Sequence, residues 1–145
     1  MDDDLQLVNE RILSVHLGTP TAIVERYLPM LSVCLGQLKA TARQLADFAP
    51  SIHENSLDVV ASNRTYLEFA RLTARDVLAG NYDGLLILGI DLDQARALAK
   101  LSIQQIKTMA YRWDGLIFEP RQVAKRVESM HRSSDPFYAT ALLAA

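Results

Sequence analysis

The sequence predicts an all-α protein, and three observations carry that expectation. Apolar residues recur at three- and four-residue spacing over nearly the whole chain, which gathers them on one face of a 3.6-residue helix. Ser, Thr or Asp stands just before most of these segments, where a side-chain oxygen can accept from the free backbone N–H groups of a first turn. Only residues 85–88, inside the apolar run GLLILGI at 84–90, fit an extended segment as well as a buried helix end.

Taken in order, Leu5, Val8, Ile12 and Val15 form the stripe of a first helix that ends before Gly18. Thr19 and Pro20 open a second, because proline at a first helical position loses no hydrogen bond, and Pro29 stops it near Leu28. Ser32 caps a third helix reaching about Asp47, with Pro50 beyond its end. The polar stretch PSIHENS at 50–56 is the one plausible linker, so residues 1–50 read as an N-terminal helical extension and 51–145 as the main helical domain.

A long helix runs from Ser56 to Gly80. Leu57, Val60, Tyr66, Leu67, Phe69 and Ala70 make it apolar on more than one side, and a helix of that kind needs two packing partners. It is expected to be a dimerisation-type helix, with these six residues in an oligomer interface. Asn81, Asp83 and Gly84 supply a tight reversal. Asp91 or Asp93 then caps a helix over Leu92–Lys100 with Ala95, Leu98 and Ala99 inward, and Ser102 caps another bearing Ile103, Ile106, Met109 and Ala110. Two short helices joined by a tight turn make a helix-turn-helix-like hairpin. Trp113 to Gly115 end it, Pro120 opens a helix carrying Val123, Val127 and Met130, and Asp135 with Pro136 opens a last short one.

The chain has 145 residues, half of them hydrophobic and 22% charged, with a net charge of −2. That suits one globular domain or two very small ones. Its single cysteine, Cys34, lies between Val33 and Leu35 and reads as a core residue; with three dispersed histidines it makes no four-ligand zinc site. No apolar run is long enough to span a membrane, and the acidic start MDDDLQ is unlike a signal peptide, so a reducing cytoplasm is expected.

No catalytic constellation is visible. His16, His53 and His131 stand in separate segments without a nucleophile motif beside them. Asp91 and Asp93 lack the glycine and distal glutamate of a calcium loop, and capping explains them. Gly80, Gly84 and Gly89 are spaced wrongly for a phosphate loop. The chain is expected to be no enzyme and to need no cofactor.

Charge is uneven along the chain. Residues 1–50 hold four basic against six acidic side chains, residues 51–100 five against seven, and residues 101–145 six against four. Arg112, Arg121, Lys125, Arg126 and Arg132 form the basic end and are the candidate phosphate contacts.

From about Asn55 onward the chain resembles FlhD, the helical subunit of the bacterial FlhD–FlhC flagellar master activator. The resemblance rests on Tyr66-Leu67 with Ala70, on LGIDLDQARALAKLSIQQIKTMA at 88–110, on Phe118, Glu119 and Gln122, and on a closing ATALLA. It covers about 90 of 145 residues through order and spacing, with no single diagnostic motif. It implies a DNA-binding transcriptional activator subunit that acts on double-stranded DNA in a hetero-oligomer with a zinc-binding FlhC-like partner. Departures are specific. Leu86-Ile87 stand where the flagellar proteins carry Phe-Arg, the family cysteine after the second hairpin helix is absent near Ile117, and residues 1–50 have no counterpart. A divergent relative, of the kind mobile elements carry as transfer activators, fits these differences.

At an offset of 70, Leu28, Leu31, Ser32, Ala40, Phe48 and Pro50 match Leu98, Leu101, Ser102, Ala110, Phe118 and Pro120. A weak repeat of the hairpin within residues 1–50 would follow. The competing function is a helical adaptor that sequesters or modulates a transcription regulator without touching DNA. Basic residues gathered beside the hairpin favour DNA, and scattered ones favour the adaptor.

Overall fold

The computed structural model describes residues 2–17, 25–26, 28–50 and 52–126. These residues are predominantly helical, with one small two-stranded sheet. The elements are α1 (Asp2–Leu17), a 3-10 turn (Leu28–Met30), β1 (Gly36–Leu38), α2 (Ala42–Ala46), α3 (Leu57–Leu78), α4 (Asp83–Leu88), α5 (Leu92–Ala99), α6 (Ile103–Arg112) and β2 (Phe118–Pro120). A further helical stretch occupies residues 122–126. The helices expected at 19–28 and from Asp135 onward, and Val127 and Met130 of the helix expected from Pro120, lie outside or largely outside the described residues.

The chain divides into two compact units, Met1–Gly36 with Pro120–Ala145, and Gln37–Glu119. The division is not the expected 1–50 and 51–145. The strands explain it: Lys39 donates to the Ile117 carbonyl and Arg121 N–H to the Leu35 carbonyl, both at 2.9 Å, so the ladder is antiparallel. Pairing draws residues 37–50 into the company of the long helix, and the chain passes from one unit to the other within β1 and back within β2.

In the first unit Leu5, Val8, Ile12 and Leu13 of α1 are buried with Leu28, Cys34, Leu35 and Ala124. Asn9 is buried among them, and its side chain donates to the Val33 carbonyl at 3.0 Å and accepts from Leu35 N–H at 2.8 Å. The carboxamide thus satisfies the backbone leading into β1 as a neighbouring strand would. This bond set, with β1 next to it, overturns the helix expected over Ser32–Asp47. Long-range pairing outweighs local propensity there, and only Ala42–Ala46 is helical, capped by Thr41 in a reciprocal box with Gln44. The proposed repeat fails with it, because residues 36–38 are a strand where residues 106–108 are helix.

In the second unit α3 is the central element, packed by α4, α5 and α6, while α2 packs on α5. Ser56 caps α3, its Oγ accepting from Val59 N–H at 3.4 Å. The run at 85–88 is helical, not extended: α4 ends at Gly89, whose φ of 66° is left-handed and costs glycine nothing. Gly84 lets α4 lie directly on α3, since a Cβ there would stand 2.6 Å from Val77 Cγ2 and 2.9 Å from Thr73 Cγ2. Tyr66 stacks on Phe118 with ring centroids 5.0 Å apart.

Candidate nucleic-acid interface

The hairpin forms as its capping signals foretell. Asp91 and Gln94 make one reciprocal capping box at the start of α5, and Ser102 and Gln105 make another at the start of α6. Ala95 and Leu98 are buried on α5, Ile106, Met109 and Ala110 on α6, with Leu101 buried in the turn between them. Both helices rest on α3. The Gln94 side chain also donates to the Ala40 carbonyl at 3.0 Å, and Gln37 donates to the Gly89 carbonyl at 2.7 Å, so β1 and the segment after it brace the entry to α5.

The exit from α6 is held by two buried asparagines. Asn55 donates to the Ala110 and Trp113 carbonyls and accepts from Gly115 N–H at 3.1 Å. Asn63, fully buried on α3, donates to the Ala110 and Gly115 carbonyls and accepts from Ile117 N–H at 2.9 Å. Every one of these bonds spans more than 45 residues of sequence. No short-range pattern could have announced them, and sequence reasoning passed over both residues.

The candidate phosphate contacts are divided between the two units and the residues outside those described. Arg112, at the end of α6, pairs with Glu54 at 3.5 Å and lies over the Tyr111 ring at 4.9 Å. Arg121 belongs to the other unit and is half-buried, its guanidinium donating to the Cys34 carbonyl at 3.0 Å. It is therefore a structural donor and half-buried, where a fully solvated side chain was expected. Pro120 closes β2, and the helix expected to open there begins two residues later, at residues 122–126. Lys125 is exposed and Arg126 half-buried on that stretch, while Arg132 lies outside the described residues.

The expected oligomer-interface residues are mostly inside the chain. Tyr66, Leu67, Phe69 and Ala70 are buried, Val60 is half-buried, and only Leu57, 87% exposed, faces solvent fully. The buried part of the apolar circumference of α3 is covered by the chain's own α4, α5, α6 and Phe118. Apolar side chains that do remain exposed include Leu78, Tyr82 and Leu86 near the α3–α4 reversal.

Two adjoining surface grooves flank α6. One, of about 350 Å³, lies between Leu45–Phe48 and Gln104, Gln105, Thr108 and Met109. The other, of about 330 Å³, runs past Phe48, whose ring is 6.1 Å from that of Trp113, toward Arg112 and Asp114. Among the described residues no group of three or more His, Cys, Asp or Glu could hold a metal ion, and no helix is long and apolar enough to cross a membrane. Burial pushes the Cys34 thiol up to about 11. Comparison of the chain with protein-family models, with curated proteins and with solved structures returns no match.

Proposed function

We propose that the protein is a DNA-binding transcriptional activator subunit of the FlhD type, working on double-stranded DNA in a hetero-oligomer with a zinc-binding FlhC-like partner. The observation that carries this reading is the α5–α6 hairpin, in which two reciprocally capped helices meet at a three-residue turn and are seated on a long third helix. A rigid corner of this kind can set one helix against a duplex while its neighbour braces it. In this reading the chain acts in the cytoplasm, catalyses no reaction and needs no cofactor. The partner supplies the metal-binding module, since Cys34 is buried and alone.

A second reading has its own support. Arg112 and Arg121 are committed to bonds within the chain, and Tyr82 and Leu86 leave apolar surface open. Those features suit a helical adaptor that binds a regulator and not DNA. Co-expression with FlhC-like proteins, then size-exclusion and duplex-shift assays on each component alone and on the complex, separates the two. A complex that shifts duplex DNA with a steep salt dependence supports the activator. A complex that forms without any shift supports the adaptor.

A further inference from the structure

We infer that Gln104, on the solvent face of α6, reads an adenine in the major groove, flanked by Ile103 and Lys107. The inference deepens the DNA-binding reading and rests on it.

Successive residues of an α-helix are turned by about 100°. On α6 the buried residues Ile106, Met109 and Ala110 define the inward direction, and Gln104 then points almost straight away from the core. Ile103, 57% exposed, and the exposed Lys107 stand beside it. Three other polar side chains of the helix are spent elsewhere. Gln105 accepts from Ser102 N–H at 2.8 Å as half of the capping box. Thr108 Oγ1 donates to the Gln104 carbonyl at 3.0 Å, and Arg112 pairs with Glu54. Gln104 keeps its carboxamide for a ligand, at the lip of the groove that Leu45–Phe48 form along the helix.

The groove itself carries one acid, the exposed Asp47, and the basic charge that would meet an anionic partner stands on the hairpin. The first turn of α6 carries no acidic residue. Within the hairpin the two acids stand at the far end of α5, Asp91 used as a cap and Asp93 paired with Arg96 at 3.4 Å. Lys100 in the turn and Lys107 on α6, both exposed, are left flanking Gln104. A helix about 10–12 Å across fits the major groove of B-DNA, about 12 Å wide. There a glutamine carboxamide matches the N6 donor and N7 acceptor of adenine, an isoleucine meets a thymine methyl, and lysines neutralise phosphates or meet guanine.

The test is selection from a random-sequence duplex library with the full chain, alone and with its FlhC-like partner. Wild-type protein, Gln104→Ala and Lys125→Ala are compared, with circular dichroism and partner binding measured on each. The wild-type complex should enrich a motif, and Gln104→Ala should lower the preference for adenine at one position by roughly ten- to a hundredfold. Lys125→Ala should weaken all sequences alike. An unchanged motif and unchanged adenine preference in Gln104→Ala overturn the inference while the DNA-binding reading stands. Loss of partner binding with the motif intact overturns it too, and makes this face a protein contact. If the wild-type complex enriches no motif and retains no duplex, the DNA-binding reading itself fails, and the inference with it.

Discussion

Asn63 on α3 accepts a hydrogen bond from the backbone N–H of Ile117 at 2.9 Å, with both residues fully buried. Through its amide nitrogen the same side chain holds the Ala110 and Gly115 carbonyls. One carboxamide thus fixes the end of α6 and the start of the path into β2. Replacing it with alanine leaves buried backbone groups without partners, each costing about 1–3 kcal/mol. Asn63→Ala should destabilise the protein by about 2–4 kcal/mol, read as a lower midpoint in urea unfolding. A loss below about 0.5 kcal/mol, the scale of an ordinary surface substitution, would mean that the exit of α6 is held by packing alone.

Gly84 gives a prediction whose sign depends on the tertiary structure. It sits in the helix α4, where helix propensity alone makes Gly→Ala stabilising by about 1 kcal/mol. A methyl group there would press on Val77 and Thr73 of α3 at 2.6 and 2.9 Å. Gly84→Ala should therefore destabilise by about 1–3 kcal/mol, as overpacked cores do. Thermal unfolding of the purified variant decides between the two signs.

Arg121 and Lys125 should separate in their effects. The half-buried Arg121 guanidinium donates to the Cys34 carbonyl, so Arg121→Ala should cost about 1 kcal/mol of stability. Exposed Lys125 should contribute less than about 0.5 kcal/mol. In duplex-shift titrations of the complex, Lys125→Ala should lower the salt slope by about one. Equal stability of the two variants would show the Arg121 bond to be without weight.

Cys34 sets an alkaline limit. Its thiol is pushed from the usual 9.0 to about 11 by burial, with Arg121 and backbone N–H groups opposing that in part. Between these values the folded chain keeps a proton that the unfolded chain releases. The contribution of Cys34 to stability is then complete below about pH 9 and is lost as pH rises toward 11. Alkylation by iodoacetamide at pH 8 should be slow in the native protein and fast in urea. Rapid native labelling would place the sulfur at the surface.

What the sequence determined by itself was the helical character and the starts of α3, α5 and α6. Ser56, Asp91 and Ser102 cap α3, α5 and α6 at their expected positions, because a cap is a local bond between residues three apart. The burial of Ile106, Met109 and Ala110 follows from periodicity alone. Tertiary structure decided the rest. Residues 36–38 are a strand because β2 pairs with them, and Asn9 holds the backbone of Val33 and Leu35 from 24 or more residues away. Tyr66, Leu67, Phe69 and Ala70 read as an interface until α4, α5, α6 and Phe118 cover them within one chain. Arg121 looks like a surface cation until its bond to Cys34, 87 residues away, is formed. Short-range bonds leave their mark in spacing, whereas a bond between distant residues exists only once the chain has folded back on itself.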